Sequence, residues 1–542
     1  MIVRFSQNSS NTEPLPNIIT NQHMKNLISF LPLCFLAALL SSQPNIQWQK
    51  TLGGSEDEVI QSIKKTNDGG FIIAGKTNSI DGDFSGNHGG TDIWVAKLTQ
   101  DGNTQWLKTL GGSDFEFATS IQPCSDGGYV LVGSTESIDG DITANHGRAD
   151  LWVVKLDNVG ELQWQKTFGG SGADLASSVQ QTNEGGYIVA GSTESNDGDV
   201  SGNHGLGDYW ILKLSAAGSL EWQKILGGSY GDHAHSILQT TEGGYIVAGG
   251  SESTDGDVTD HVGYETLSDY WVVKLSESGD VQWKKSYGGG DIDAAYAIRP
   301  TNDGGYILTG YARSNDGDVI FAHGSFDCWL LKLDSIGNIK RKKPLGGSLL
   351  DYARDVLQTN DDKFVVAGVT ISNNGNVSGN HGNDDFWIVK LNDGGGIQWQ
   401  KALGGSKDEM PYSIEKTNDG GYIVAGYTKS NDGDVSGNHG GWDGWLVKLA
   451  PESVGTMETL ANPEGHLEVF PNPASHTVSL KIASEETILT VNISDMSGRT
   501  TRQYRIQNGG DMDISDLPNG TYLVIASTPS GKVYSGKVDI KK

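Results

Sequence analysis

ASSVQQTNEGGYIVAGSTESNDGDVSGNHGLGDYWILKLSAAGSLEWQKIL, Ala176–Leu226, is the stretch on which the fold turns. SSVQQT alternates and runs into NEGG; YIVAGST is apolar and rich in β-formers; an acidic, glycine-rich loop follows; then DYWILKL, the turn SAAGS, and LEWQKIL. Asn, Asp and Gly stand where the turns need positive φ. The stretch therefore reads as four short strands joined as two hairpins around one long loop.

The unit recurs. Its DYW-type tryptophan falls at Trp94, Trp152, Trp210, Trp271, Trp329, Trp387 and Trp445, at spacings of 58 residues with a single spacing of 61. A second tryptophan recurs at Trp48, Trp106, Trp164, Trp222, Trp283 and Trp399, with Arg341 in the one missing place. Seven four-strand repeats predict an all-β chain whose residues 43–450 form a seven-bladed β-propeller; the two-hairpin unit suits a blade better than the rung of a solenoid. With strands A to D counted outward from the axis, the seventh repeat stops at Ala450 without its D strand, and the chain opens with an orphan one, NIQWQKTL, Asn45–Leu52. That strand is expected to complete the last blade and remove the exposed edge. The recurring Trp, Tyr and Val residues read as packing between blades.

Composition narrows the function classes. The 542 residues carry a formal charge of −28, with no basic face for nucleic acid. Such acidity favours solubility and cation binding. Three cysteines, Cys34, Cys124 and Cys328, do not make a disulfide framework. Residues 1–42 read as an upstream stretch followed by a secretory signal: Met24-Lys25, the apolar NLISFLPLCFLAALL, then small residues. Nothing downstream is long and apolar enough for a membrane helix. The basic run Ile339–Lys343 reads as a solvated edge strand.

The acidic loops invite a metal reading. They hold Asp81/Asp83, Asp139/Asp141, Asp197/Asp199, Asp255/Asp257, Asp316/Asp318 and Asp432/Asp434, with Asn374/Asn376 in the sixth repeat. A further aspartate precedes each tryptophan of the C strand: Asp92, Asp150, Asp208, Asp269, Asp327, Asp385 and Asp443. Clustered carboxylates and open backbone suit Ca²⁺, so these are candidate calcium ligands. The competing reading is that Asp and Asn cap turns through their own backbone. One histidine per loop, His88 to His439, reads as a local hydrogen-bonding group, because histidines on separate blades cannot meet at one ion. No catalytic motif is visible. Places where the repeat breaks its own pattern are the fourth loop, His261–Ser268, and Arg299, Arg313 and Arg354 in blades five and six.

TNDGGF, Thr66–Phe71, is similar to the Asp-box hairpin of sialidase-like propellers, and LDNVGELQW, Leu156–Trp164, to the tryptophan-docking motif of quinoprotein propellers; both imply blades. After a linker, 451–466, the composition changes, and 467–542 alternates as a small Ig-like β-sandwich. Pro471-Asn472-Pro473-Ala474, DMSGR at Asp495–Arg499, the segment with Gly520 and Tyr522, and the terminal Lys541-Lys542 closely resemble the type A sorting domain of the type IX secretion system. That resemblance implies export through the periplasm, the type IX machinery as a partner, and release or attachment at the outer surface. The repeats also resemble glycine-rich propeller arrays joined to such domains. The expectation is an exported binding or adhesion module that meets a glycan, polymer or protein; the alternatives are a carbohydrate-active hydrolase or lyase on the propeller and a structural surface-layer component.

Overall fold

The computed structural model describes residues 43–320, 322–452, 467–482, 488–495, 500–528 and 533–542. The secretory-signal reading and most of the linker fall outside these residues. The described residues divide into two units, one within Leu40–Gly455 and one within Thr456–Lys542.

The 28 strands from Ile46 to Leu449 pair as seven antiparallel four-stranded sheets. Blade 1 is typical: A is Glu58–Lys65, B is Phe71–Thr77, C is Asp92–Leu98 and D is Thr104–Leu110. In blade 7 the D strand is Ile46–Leu52, laid antiparallel on Asp443–Leu449 from Ile46↔Leu449 to Leu52↔Gly444. The A strand of blade 1 packs against the A and B strands of blade 7, so the ring is closed. The seven-bladed propeller expected from the repeat is the observed fold.

The core lies between blades. Every residue of the C strands at Asp92–Leu98, Asp150–Leu156 and Asp208–Leu214 is buried. One apolar cluster pools Val130, Val132 and Val153 of blade 2 with Val189, Trp210 and Leu212 of blade 3, and the pattern repeats around the ring. Four of the seven C-strand indoles bond a D-strand glutamine, as Trp210 Nε1 donates to Gln223 Oε1 at 2.7 Å and Trp445 Nε1 to Gln49 Oε1 at 2.8 Å; Trp94 Nε1 donates to Lys76 O, and those of Trp271 and Trp329 have no partner among the described residues. The D-strand tryptophans lie over the C–D turn of the next blade. A Cβ placed on Gly160 would come within 2.8 Å of the Trp106 ring, so the turn needs glycine for close approach, and its φ of +83° suits glycine as well. At the same end of the blades, the Asp68 carboxylate caps its own A–B turn through Gly70 N at 3.1 Å and pairs with Lys97 at 2.8 Å, the structural role that the Asp-box resemblance implies.

The second unit pairs Leu467–Phe470, Thr477–Ile482 and Asp511–Asp513 in one sheet. A four-stranded sheet runs in the order Thr500–Gln507, Ile488–Asp495, Gly520–Ser527, Val533–Ile540. Leu480, Val491, Val524 and Val538, all wholly buried, form the core between them.

Candidate functional site at the channel mouth

Each A strand carries a β-bulge at its fourth residue. In blade 1 Ile60 pairs with Gly75 and Ser62 with Ala74, which leaves Gln61 unpaired. The other blades do the same at Thr119, Ser177, His235, Tyr296, Arg354 and Tyr412. A bulged residue is freed from the ladder and can be re-aimed. All seven line one cavity of about 120 Å³ on the propeller axis, each together with the residue that follows it. The glycine opposite each bulge is required. A Cβ on Gly368 would fall 2.2 Å from Tyr352 O, closer than any side chain tolerates.

The ring is chemically lopsided. The Arg354 guanidinium carbon stands 4.2 Å from the Tyr296 ring centre, 5.0 Å from that of Tyr352 and 5.2 Å from that of Tyr412. Its Nη2 meets the Met410 sulfur at 3.7 Å, and its Nε has no hydrogen-bond partner among the described residues. Such cation–π contacts hold the group in place without neutralising it. Its neighbour Asp355 is spent elsewhere, on Arg299 Nη2 at 2.7 Å and on the Ile414 amide at 3.2 Å. Desolvation in the channel, reinforced by His233 and Arg354, holds His235 down to about 3, so it is a neutral ring at ordinary pH. Burial raises the phenols of Tyr352 and Tyr412, which therefore stay protonated and can donate.

Aromatic rings continue outward to the face that carries the acidic loops. Tyr427 stacks on Trp442 at 4.7 Å and 12°, with Lys429 Nζ 4.8 Å from the Trp442 ring. Tyr311 meets Phe326 edge-on at 5.3 Å, and Arg313 lies 5.7 Å from the Phe326 ring. Lys76 sits 5.3 Å from Phe117. These groups belong to blades 5, 7, 1 and 2; blade 3 places Leu175 and Ser192 at the same level. The mouth is thus aromatic, and its cations Lys429 and Arg313 are paired with Asp408 at 2.7 Å and Asp291 at 3.4 Å.

The carboxylates of the acidic loops are engaged in holding turns. Asp81, Asp139 and Asp197 accept the amides of Ser55, Ser113 and Ser171 at 2.8, 2.8 and 2.7 Å. Asp83, Asp141 and Asp199 accept Gly53, Gly111 and Gly169 at 3.1, 3.1 and 3.3 Å. In blade 6, Asn374 and Asn376 make the same bonds to Ser348 and Gly346 at 2.8 and 3.2 Å. These contacts tie the B–C loop to the D–A turn on one face. Among the described residues no three His, Cys, Asp or Glu side chains are grouped to hold a metal ion.

The aspartates before the C-strand tryptophans lie deeper. Asp92, Asp150 and Asp208 accept the amides of His88, His146 and His204 at 2.9 Å each, and the same Oδ2 faces the histidine Nδ1 at 2.6, 2.5 and 2.5 Å. Their Oδ1 atoms are buried with no hydrogen-bond partner, as are those of Asp269, Asp327, Asp385 and Asp443. Each packs on the first glycine of the following D–A turn beside the acid that opens the next A strand: a Cβ on Gly111 would lie 2.5 Å from Asp92 Oδ1 and 2.7 Å from Glu116 Oε2. Burial raises the proton affinity of all seven aspartates. The largest shift is at Asp269, pushed up to about 8 by burial. The longer fourth loop carries His261 to 3.6 Å, leaving Asp269 Oδ2 the Val262 amide at 2.7 Å.

Other singled-out residues fall outside the ring. Arg299 pairs with Asp355, Arg313 with Asp291 at 3.4 Å, and Tyr264 of the fourth loop is 75% exposed. Ile339–Lys343 is the outer strand of blade 5, its charges facing Asp334, Asp393 and Asp318. Cys124 and Cys328 are buried free thiols. Tyr296, Tyr412 and His235 were not evident from the sequence. Their signal is the glycine at the centre of each B strand, which marks the bulge opposite.

In the second unit the Pro471–Ala474 loop is clasped to the last strand. Asn472 donates to Lys537 O and accepts Asp539 N, both at 2.9 Å, and Lys541 N donates to Ala474 O at 2.9 Å. Pro473 lies between these anchors, and Lys542 N reaches Asn519 Oδ1 at 2.8 Å. Gly520 opens a strand and Tyr522 donates its hydroxyl to Pro518 O at 3.0 Å. Of the DMSGR turn, only Asp495 is described.

The chain is 22% identical over 427 residues to the regulatory protein FlaEY of Caulobacter vibrioides, across 69% of this chain and 43% of that protein. It thus spans less than half of the curated relative it matches. Among solved structures it is similar to BBS1N in complex with ARL6DN, at 9% identity and a TM-score of 0.42 over 76% of this chain and 98% of the other. It is similar also to puromycin hydrolase, at 11% identity and a TM-score of 0.40 over 82% and 62%. At these scores the likenesses carry no functional inference. Residues 468–541 match the family described as the secretion system C-terminal sorting domain, over the elements just described. The chain is therefore a seven-bladed propeller bearing a type IX sorting domain, and it is exported to the cell surface or secreted.

Proposed function

We propose that the exported propeller is a binding module that takes an extracellular glycan or polymer at the channel mouth on its loop face. The observation that carries this reading is the loss of sevenfold symmetry there: one register position per blade holds Gln, Thr, Ser, His, Tyr, Arg and Tyr in turn. Packing residues repeat because every blade junction is alike; a ring that varies at each blade serves something that is not symmetric. Flat aromatic faces beside a few polar groups are the composition of ligand sites, and sugar rings stack on such faces. The ring brings no carboxylate–histidine or nucleophile–base pair together, which favours binding over turnover. The test is retention of the full chain on a panel of bacterial and host polysaccharides, with Trp442→Ala and Tyr427→Ala beside it. Retention lost in both variants while melting temperature holds supports the reading. No retention of the wild type, together with hydrolysis or elimination of any panel member, would replace it with the enzyme.

A further inference from the structure

The charged groups lining the axial cavity do not cancel. Lys64 is paired with Glu415 at 2.9 Å and Arg299 with Asp355 at 2.7 Å. His235 is neutral there. What remains is Arg354, whose Nε is buried with no hydrogen-bond partner among the described residues, whose Nη2 meets the Met410 sulfur, and whose side chain also bonds that of Tyr352. Leaving a buried donor unsatisfied is costly. Tyr296, Tyr352 and Tyr412 occupy its surroundings with ring faces, which fix the guanidinium and leave its Nε donor unused.

We propose that Arg354 is an oxyanion-binding residue, and that the ligand of the channel mouth inserts a carboxylate into the axial cavity. This rests on the binding-module reading and gives its ligand a charge: an acidic saccharide or polymer such as a uronate. A guanidinium presents parallel N–H donors that match the two oxygens of a carboxylate. The cavity of about 120 Å³ holds the equivalent of about four waters, which accommodates a carboxylate group and excludes a whole sugar ring. The cavity wall runs from the bulged ring to Lys64, Gln122 and Arg299 near the A–B turns, so the acid would occupy the channel while the sugar stays outside it. Hydroxyls of Tyr412 and Ser177 are within the same wall to complete the hydrogen bonding. The protein's overall charge of −28 makes a lone unpaired cation at its axis a selective feature, since acidic ligands are repelled from most of the surface.

The experiment measures the affinity of the full chain for glucuronate, glucose, acetate and inorganic sulfate by calorimetry, and repeats it with Arg354→Lys and Arg354→Met. Glucuronate should bind more tightly than glucose. Arg354→Met should weaken glucuronate roughly 30-fold or more, as expected for losing a desolvated charge pair. Arg354→Lys should recover part of that affinity if charge is what is read. Sulfate binding as tightly as glucuronate, with acetate inactive, would replace the carboxylate by a free inorganic oxyanion and overturn the ligand class. Equal binding of glucose and glucuronate, or glucuronate binding unchanged in a folded Arg354→Met protein, would overturn the role of Arg354. In that last case, polysaccharide retention that still depends on Trp442 leaves the binding-module reading standing alone.

Discussion

The acidic B–C loop and the axial ring each occur once per blade, and they differ in what they keep. The loop holds one chemistry almost unchanged; even where blade 6 substitutes Asn374 for aspartate, the bond to the Ser348 amide survives. The ring keeps only its position, and its side chains run from Ser177 to Arg354. The loop is tied into the D–A turn by backbone hydrogen bonds that every junction needs. The ring residue is bulged out of the ladder, and none of the seven belongs to an apolar cluster between blades. Repetition in this protein marks what the fold requires, and irregularity marks what the fold leaves free.

The harshest way to break the comparison is to open the ring. Deleting Ile46–Leu52 should abolish cooperative unfolding of the propeller, seen as loss of the main calorimetric transition; an unchanged melting temperature would show that the blades stand without closure. A single junction can be probed by Trp210→Ala, which should cost about 3–5 kcal/mol in a denaturant titration, because a buried indole is replaced by a cavity. A loss below about 1 kcal/mol would mean the junction relaxes freely.

The buried aspartates give a subtler test through pH. Asp269 holds its proton up to about pH 8 in the folded chain, against an ordinary value of 3.8. Between those values the folded state binds more protons than the unfolded one, so stability falls as pH rises through the window. Asp269→Asn should therefore shrink the gap in melting temperature between about pH 5 and about pH 8.5. A gap that stayed the same would assign the pH dependence to other groups. The gentlest change is Asp197→Asn. If the loop carboxylate only caps a turn, the melting temperature should stay close to that of the wild type, as for surface changes generally, and EDTA should leave it where it is. A calcium-dependent rise in melting temperature that Asp197→Asn weakens would turn the loops into metal sites.

How far these two regions were legible follows from the same contrast. Trp94 to Trp445, the glycine-bearing turns and the orphan strand at Ile46 announce the blades, their number and their closure, because periodic packing leaves periodic residues. The ring was visible only at Arg354, and only as an arginine out of pattern. Tyr296 and Tyr412 look like ordinary strand aromatics, since simple alternation along an A strand does not reveal where the bulge shifts the register. Gly75 and its counterparts carry that information, but a glycine inside a strand names a close approach without naming what is displaced by it. The aspartates before the C-strand tryptophans were evident as carboxylates and not as buried ones, because their burial comes from the neighbouring blade's turn.

The strand Ile46–Leu52 also sets an order of events. It leaves the ribosome before all of its hydrogen-bonding partners, and Asp443–Leu449, on which it lies, is the last propeller strand to be made. A chain cut short anywhere in between can assemble inner blades but has nothing to receive its first strand. The export address at 468–541 is synthesised only after that point. Any chain that carries this address has thus already been given the strands needed to close its ring, and a product truncated within the propeller lacks the address.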